Sequence, residues 1–314
     1  MRPAIQTKSV ETSRLRDYVA LCKPRIAVMV LFTVFVGGLL SGARSDLIGL
    51  ANAALGVLLI ASSGCALNQY LERYTDFLMF RTSKRPLPGG RLSATEVAVF
   101  GAVTFGVGIA IMWMLCNWWV AVLGFVTWFL YVWIYTPLKL HTVYNTMIGA
   151  IPGAMPILIG AAQSETGISP SAWSFFAVLL IWQFPHFMSI AWLYREDYAD
   201  GKIQMITVVD PSGKWAGRWA VGFGLVLIPV GCLPALFVES RLGAVILLIS
   251  AIALGIWFLM ASMQFARVIT SRSWPSKSDQ GSTPADVSIS RKLLKVSLLY
   301  LPLYMLALLI AAVL

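Results

Sequence analysis

Three oxygen-bearing side chains recur at intervals of four: Asn68, Glu72 and Asp76, in ALNQYLERYTD. On a helix each such step advances about 40° beyond a full turn, so the three share one face. An amide carbonyl and two carboxylates in a row suit a hard cation such as Mg²⁺, which takes a few carboxylates and completes its shell with water and phosphate oxygens. Arg81, Lys84 and Arg85 follow at once in RTSKRPLPGG, where Pro86, Pro88, Gly89 and Gly90 stop the helix and turn the chain. A diphosphate calls for such bases beside a cation, Arg for bidentate contacts and Lys as a point charge. The plain alternative is a solvated helix end with intrahelical ion pairs, followed by bases that mark a cytoplasmic loop.

A second acidic cluster, Glu196, Asp197 and Asp200 with Lys202, lies in WQFPHFMSIAWLYREDYADGKIQM. Two such clusters on two helices at one membrane face could oppose each other across a cavity and bind two cations. His186, after Pro185, falls inside the preceding apolar run; it is either a hydrogen-bonded helix–helix contact or a group that meets protons or a polar, metal-bearing substrate. Lys139, His141 and Asn145 open a further segment, YTPLKLHTVYNTMIGAIPGAMPILIG, near the same face. Its Gly149, Pro152, Gly153 and Pro156 predict a bent, closely packed helix.

The elements that must carry these residues are membrane spans. The 314 residues are 58% hydrophobic and 12% charged, half the charge of a typical soluble domain. Apolar runs predict nine helices, at 26–42, 49–69, 95–115, 118–136, 143–163, 172–193, 216–238, 241–265 and 293–313. With the N-terminus in the cytoplasm, all of the 24 Lys and Arg except Arg44 and Arg241 fall on the cytoplasmic side. That distribution accounts for the net charge of +10 without nucleic acid. It does not account for the acids at 72–76 and 196–200. Cys22, Cys65, Cys116 and Cys232 are scattered in or beside apolar runs and read as packing residues. Ser41-Gly42-Ala43 mimics a signal-peptidase site, but the run before it is long enough to span and is expected to stay uncleaved. The expected organisation is a cytoplasmic segment over 1–25 and one intramembrane domain over 26–314. Its loops 70–94 and 194–215 carry the site, and a Ser- and Pro-rich loop at 271–290 reads as a flexible connector.

The pattern NxxxExxxD…RTxxRPLPxGR, from Asn68 to Arg91, resembles the first aspartate-rich motif of the UbiA-type intramembrane prenyltransferases. CKPRI, RTSKRPLP and the two long segments quoted above resemble, more narrowly, the heme-farnesylating branch of that superfamily, from about residue 18 to 215. The resemblance implies an all-α, polytopic fold of nine helices around a central cavity, in the cell (inner) membrane. It implies two Mg²⁺ that hold farnesyl diphosphate, with transfer of the farnesyl group to a vinyl of heme B to give heme O. Carried over, Asn68, Glu72, Asp76 and Asp197 bind metal, together with Asp200 or Glu196. Arg81, Lys84, Arg85, Lys139 and Lys202 contact diphosphate, and His186 meets the heme side; Asp76, Asp197, Arg81 and Lys139 carry the catalysis. Partners in heme A synthesis and terminal oxidase assembly are also implied.

The chain departs from the family pattern at Glu72, where Asp is common. Asp197 and Asp200 lie three apart while Glu196 and Asp200 lie four apart, and Thr207 stands where a proline is usual. Three rival readings stay open: a related prenyltransferase acting on a quinone precursor or chlorophyllide, a membrane transporter, and a non-catalytic heme-handling protein.

Overall fold

The computed structural model describes residues 13–43, 46–271 and 284–314. Among them there is no strand, only helix and short turns. The elements are α1 (Arg14–Leu21), α2 (Pro24–Leu40), α3 (Leu47–Leu71), α4 (Arg73–Leu78), α5 (Ala94–Leu115), α6 (Trp118–Phe129) and α7 (Thr136–Leu138). They continue with α8 (Asn145–Ala161), α9 (Pro170–Leu193), α10 (Arg195–Asp200), α11 (Ile206–Val209), α12 (Lys214–Cys232), α13 (Arg241–Thr270) and α14 (Pro284–Val313).

Local chemistry sets the helix starts. Asp46 accepts from the Gly49 amide at 2.8 Å, and Ser93 with Glu96 forms a reciprocal capping box. Asn117, Ser169 and Ser240 cap α6, α9 and α13 in the same way. At a membrane boundary these caps satisfy amides that lipid cannot.

Seven helices among the described residues are long and apolar enough to cross a membrane, and α1 with α2 makes an eighth if the pair, bent by 47°, is one span. Helix α8 is the remaining apolar helix, 17 residues long, or roughly 25 Å at 1.5 Å per residue. The chain is therefore a multi-pass membrane protein with seven or eight candidate spans among the described residues, and the shorter α8 lies where a ninth was expected, at 143–163. Two boundaries differ from expectation. Part of the N-terminal segment is helical (α1), and α14 begins at Pro284 rather than near 293. The expected connector is thus helical from 284, while its residues 272–283, like Arg44, lie outside the described residues.

Helices α2, α3, α5, α6 and α8 pack on one side, α9, α12, α13 and α14 on the other. The tightest approach joins α2 to α8, where a Cβ on Gly160 would strike the Val34 carbonyl and one on Gly37 the Ile157 carbonyl. Small residues at such crossings are what membrane helices use to bring backbones together. Both Pro152 and Pro156 are accommodated within α8. Between the two sides lies a cavity of about 550 Å³, within the usual size range of small-molecule sites.

Candidate active site

The three-residue face at the end of α3 forms with one adjustment. The helix does not run straight on: it is interrupted at Glu72 and resumes as α4. The Thr75 hydroxyl donates to the Glu72 carbonyl at 2.8 Å, a local bond that competes with helix geometry. The 68–72–76 ladder survives, since the Glu72 amide reaches the Asn68 carbonyl (2.9 Å) and the Asp76 amide the Glu72 carbonyl (2.7 Å).

None of the three uses the intrahelical partners of the plain reading. Glu72 Oε1 accepts from Lys139 Nζ at 2.7 Å, across 67 residues of sequence. Asp76, fully buried, accepts from Arg85 Nη1 at 2.6 Å. Asn68 donates its amide to Thr136 Oγ1 at 3.1 Å, which leaves its carbonyl oxygen available. Arg73 stacks instead on the Tyr70 and Tyr74 rings. Burial pushes the Asp76 carboxyl above the usual carboxylate range, although the Arg85 guanidinium pulls the other way. Burial alone would depress Lys139, but the Glu72 carboxylate holds it above the ordinary lysine value.

The loop after α4 folds back on it. Thr82 donates to the Asp76 carbonyl at 2.8 Å, which brings Arg85 over the carboxylate. Arg91 Nε, directly after the PGG turn, donates to Asp17 Oδ1 on α1 at 2.8 Å and pins the far end of the loop. Arg81 and Lys84 remain exposed.

The second cluster meets the first through Asp197 and Arg81. The Arg81 amide lies 3.4 Å from Asp197 Oδ1, and its guanidinium sits over the Tyr194 and Tyr198 rings at 4.5 and 5.5 Å. Glu196, Asp200 and Lys202 are exposed. No hydrogen bond or ion pair among the described residues joins Asp200 or Lys202 to the first cluster; the same holds for exposed His141. Thr207, the departure in MITVV, is buried and donates to the Ala191 carbonyl at 2.9 Å, so it ties the loop back to α9.

Several participants carried no signal of their own in the sequence. Residues Leu130–Tyr135 wind as a π-helix, closed where the Thr136 hydroxyl donates to the Tyr131 carbonyl at 2.8 Å. This turn sets both Tyr131 and Tyr135 on the cavity and delivers Lys139, whose ammonium lies 4.5 Å from the Tyr135 ring centre. The charged cluster therefore abuts the cavity wall. Lys23, at the break between α1 and α2 with φ of 49°, also lines the cavity and feels the charges of Arg85, Lys139 and Glu72. Its place in CKPRI, a basic residue before a helix-starting proline, was the available hint. Gln204 and Asn145 hold the loops together: the Gln204 amide donates to the Lys139 carbonyl (2.7 Å), and Asn145 Nδ2 to the Gln204 carbonyl (2.9 Å).

Among the described residues, no three His, Cys, Asp or Glu converge into a protein-only metal cage. A divalent cation nonetheless fits. Asp76 Oδ1 is buried without a hydrogen-bond partner, and Mg²⁺ is usually held by one or two carboxylates plus phosphate oxygens rather than by a full protein cage.

The sequence matches the UbiA prenyltransferase family over residues 30–277. It is 42% identical over 263 residues to the protoheme IX farnesyltransferase of Solibacter usitatus, covering 80% of this chain and 89% of that one. To the protoheme IX farnesyltransferase of Rhodopirellula baltica it is 37% identical over 303 residues, covering 94% and 99%. Among solved structures, one from work on a digeranylgeranylglyceryl phosphate synthase superposes with a TM-score of 0.73 at 14% identity, covering 96% of this chain and all of the other (100%). A UbiA homolog from Archaeoglobus fulgidus bound to GPP and Mg²⁺ gives 0.65 at 13%, covering 95% and 100%. At these identities the structural likeness is one of fold.

Proposed function

The chain belongs to the UbiA prenyltransferase family, and from that membership we propose that it transfers the farnesyl group of farnesyl diphosphate to a vinyl group of heme B, giving heme O and diphosphate. The observation that carries this reading is the row of charge pairs, Glu72 with Lys139 and Asp76 with Arg85, set against the wall of an apolar cavity. The names of the curated relatives supply the donor and the acceptor.

Asn68, Glu72, Asp76 and Asp197 would hold Mg²⁺, which supplies charge stabilisation to the departing diphosphate. Arg81 and Lys84, both exposed, close on the outer phosphate oxygens. Arg85 and Lys139 face the inner ones once the diphosphate competes for their carboxylate partners. The C1–O bond of the farnesyl donor breaks, and its electron pair leaves with diphosphate. The Tyr131, Tyr135 and Trp128 rings lining the cavity shield the allylic cation from water and stabilise it through their π faces. A heme vinyl carbon attacks the cation, and water then adds at the neighbouring carbon and loses a proton, leaving a hydroxyethylfarnesyl group. The asymmetry of Lys and Arg supports a cytoplasmic N-terminus, so that the acidic clusters face the cytoplasm in the cell membrane.

The test is product formation by purified protein given farnesyl diphosphate, heme B and Mg²⁺, with porphyrins separated by chromatography. Heme O is expected, and chelation of Mg²⁺ should abolish it. Diphosphate release with a quinone precursor but never with heme B would replace the acceptor. No release with any acceptor would favour the transporter reading.

A further inference from the structure

Helices α13 and α14 are each 30 residues long, roughly 45 Å, against a hydrocarbon core of about 30 Å. Their ends on the side away from the acidic clusters are Leu242 and Val313. Counting about 20 residues inward from these puts the hydrocarbon boundary near Ala261 on α13 and Leu294 on α14. The two counts agree, because Lys292 Nζ on α14 donates to Gln264 Oε1 on α13 at 2.7 Å, just beyond both marks. The Arg195–Asp286 ion pair, at 3.8 Å, ties the start of α14 to α10 and so puts this boundary on the face of the acidic clusters.

A groove of about 610 Å³ opens here between the two helices, and it shares no lining residue with the central cavity. Ser288, Arg291, Lys292 and Lys295 line its mouth; recurring three and four residues apart, they form one stripe of α14. Trp257 and Leu299 line its floor, a turn inside the hydrocarbon boundary, and are 37% and 54% exposed. No Asp or Glu lines the groove, and among the described residues no carboxylate pairs with Arg291, Lys292 or Lys295. Asp286, on the same helix, is buried and paired with Arg195. Gln264 takes one ammonium proton of Lys292 and leaves the others. Bases that only set the orientation of a span need neither a groove nor an apolar floor beneath them.

We propose that this groove binds an anionic phospholipid, with its phosphate held by Arg291, Lys292 and Lys295 and an acyl chain lying over Trp257 and Leu299. The guanidinium offers a fork to two phosphate oxygens, and the ammoniums act as point charges. Basic pockets between spans at this depth suit anionic headgroups. A soluble acidic protein could meet the bases but not a floor that lies below the hydrocarbon boundary, and a free phosphate would leave that floor unused. The site does not depend on the identity of the acceptor.

The full-length protein in non-ionic detergent, offered equal parts of dioleoyl phosphatidylglycerol and dioleoyl phosphatidylcholine, tests this by native mass spectrometry of the lipid it retains. The wild type should retain phosphatidylglycerol over phosphatidylcholine, and less of it as salt rises. Arg291→Gln with Lys295→Gln should weaken that retention about 10- to 30-fold, the size expected for two cations at an anionic surface. Both side chains are exposed, so the fold does not need them. Arg291→Lys with Lys295→Arg keeps both charges and should keep the lipid. Lys214→Gln with Arg218→Gln removes the same charge from the exposed start of α12 and should change nothing. The proposal is overturned by equal retention of the two lipids, by unchanged retention in the first double variant, by loss of retention in the charge-keeping one, or by an equal loss in the α12 control. Displacement of the lipid by inorganic phosphate at the same concentration would make the groove a site for soluble anions. Binding of a poly-glutamate peptide in place of the lipid would assign it to an acidic protein segment; either result overturns the lipid site.

Discussion

Asp76 is fully buried and holds Arg85 at 2.6 Å, whereas Asp200, on the second acidic helix, is exposed and its carboxylate has no hydrogen bond or ion pair among the described residues. The same asymmetry runs through both clusters. In the first, Glu72 is closed off by Lys139, and a folded-back loop supplies Arg85. In the second, Asp197 reaches its counterpart through the Arg81 backbone. Buried ion pairs gain little net stability, but removing one partner leaves a charge with nowhere to go. The first cluster therefore reads as a pre-set half that keeps its geometry before any substrate arrives. The second reads as a half that adjusts when the diphosphate enters.

Removing the pre-set half should have the largest effect. Asp76→Ala is expected to lower heme O formation about 100- to 1,000-fold, the size of losing a key electrostatic group, while the protein still reaches the membrane. The rate is read at saturating farnesyl diphosphate and Mg²⁺. Near-normal turnover would remove Asp76 from the metal set and erase the contrast between the clusters.

Lys139→Ala comes next and acts on stability. It strands the Glu72 carboxylate, at a cost of about 3–5 kcal/mol, which denaturant titration in detergent would report. Adding Glu72→Ala should recover most of the stability without recovering activity. Because Lys139 is raised above its usual 10.5, the pair's contribution is fully present below that value and lost only as pH rises beyond it. The deficit of the single variant should therefore be flat from neutral pH to about pH 10. A deficit that vanishes already near neutrality would mean the pair is not charged as described.

How far the site could be read in advance follows the same divide. The spacing of Asn68, Glu72 and Asp76 is a local signal, and the helix face it predicts is present despite the break at Glu72. Apolar runs located the helices because lipid leaves the backbone few options. The partners of the acids were not legible. Lys139 and Glu72 are 67 residues apart, and their meeting depends on a π-turn at Leu130–Tyr135 that no residue pattern announces. Nor could spacing reveal that Ser297, near the end of the chain, fixes the ring of His186. The acids at 196–200 looked equivalent on paper because charge and spacing do not encode burial.

Asp197→Asn sharpens the comparison from the other side. Asp197 of the second cluster touches the first through the Arg81 amide, so a drop of about 10- to 100-fold in turnover is expected, the range for groups that orient a metal site. A loss as large as that of Asp76→Ala would make the two halves equally pre-set.

The smallest effect is expected at Asp200. Its exposure means that its carboxylate already has water for a partner, so Asp200→Asn changes neither desolvation nor an ion pair, and stability should stay within about 0.5 kcal/mol of wild type. If Asp197 alone supplies the second cluster's oxygen to the cation, turnover should fall less than about twofold, well under the tenfold that 1.4 kcal/mol of lost transition-state stabilisation would produce. A fall matching Asp197→Asn would mean that α10 rotates on substrate binding to bring Asp200 inward. Lys202→Ala separates these outcomes. Lys202 adjoins Asp200 at a left-handed turn (φ 55°), so a rotation that recruits Asp200 must also move the lysine. The apparent affinity for farnesyl diphosphate would then drop in Lys202→Ala as well. If both substitutions are silent, the adjusting half consists of Asp197 and Arg81, and the rest of the acidic run serves the solvated end of the helix.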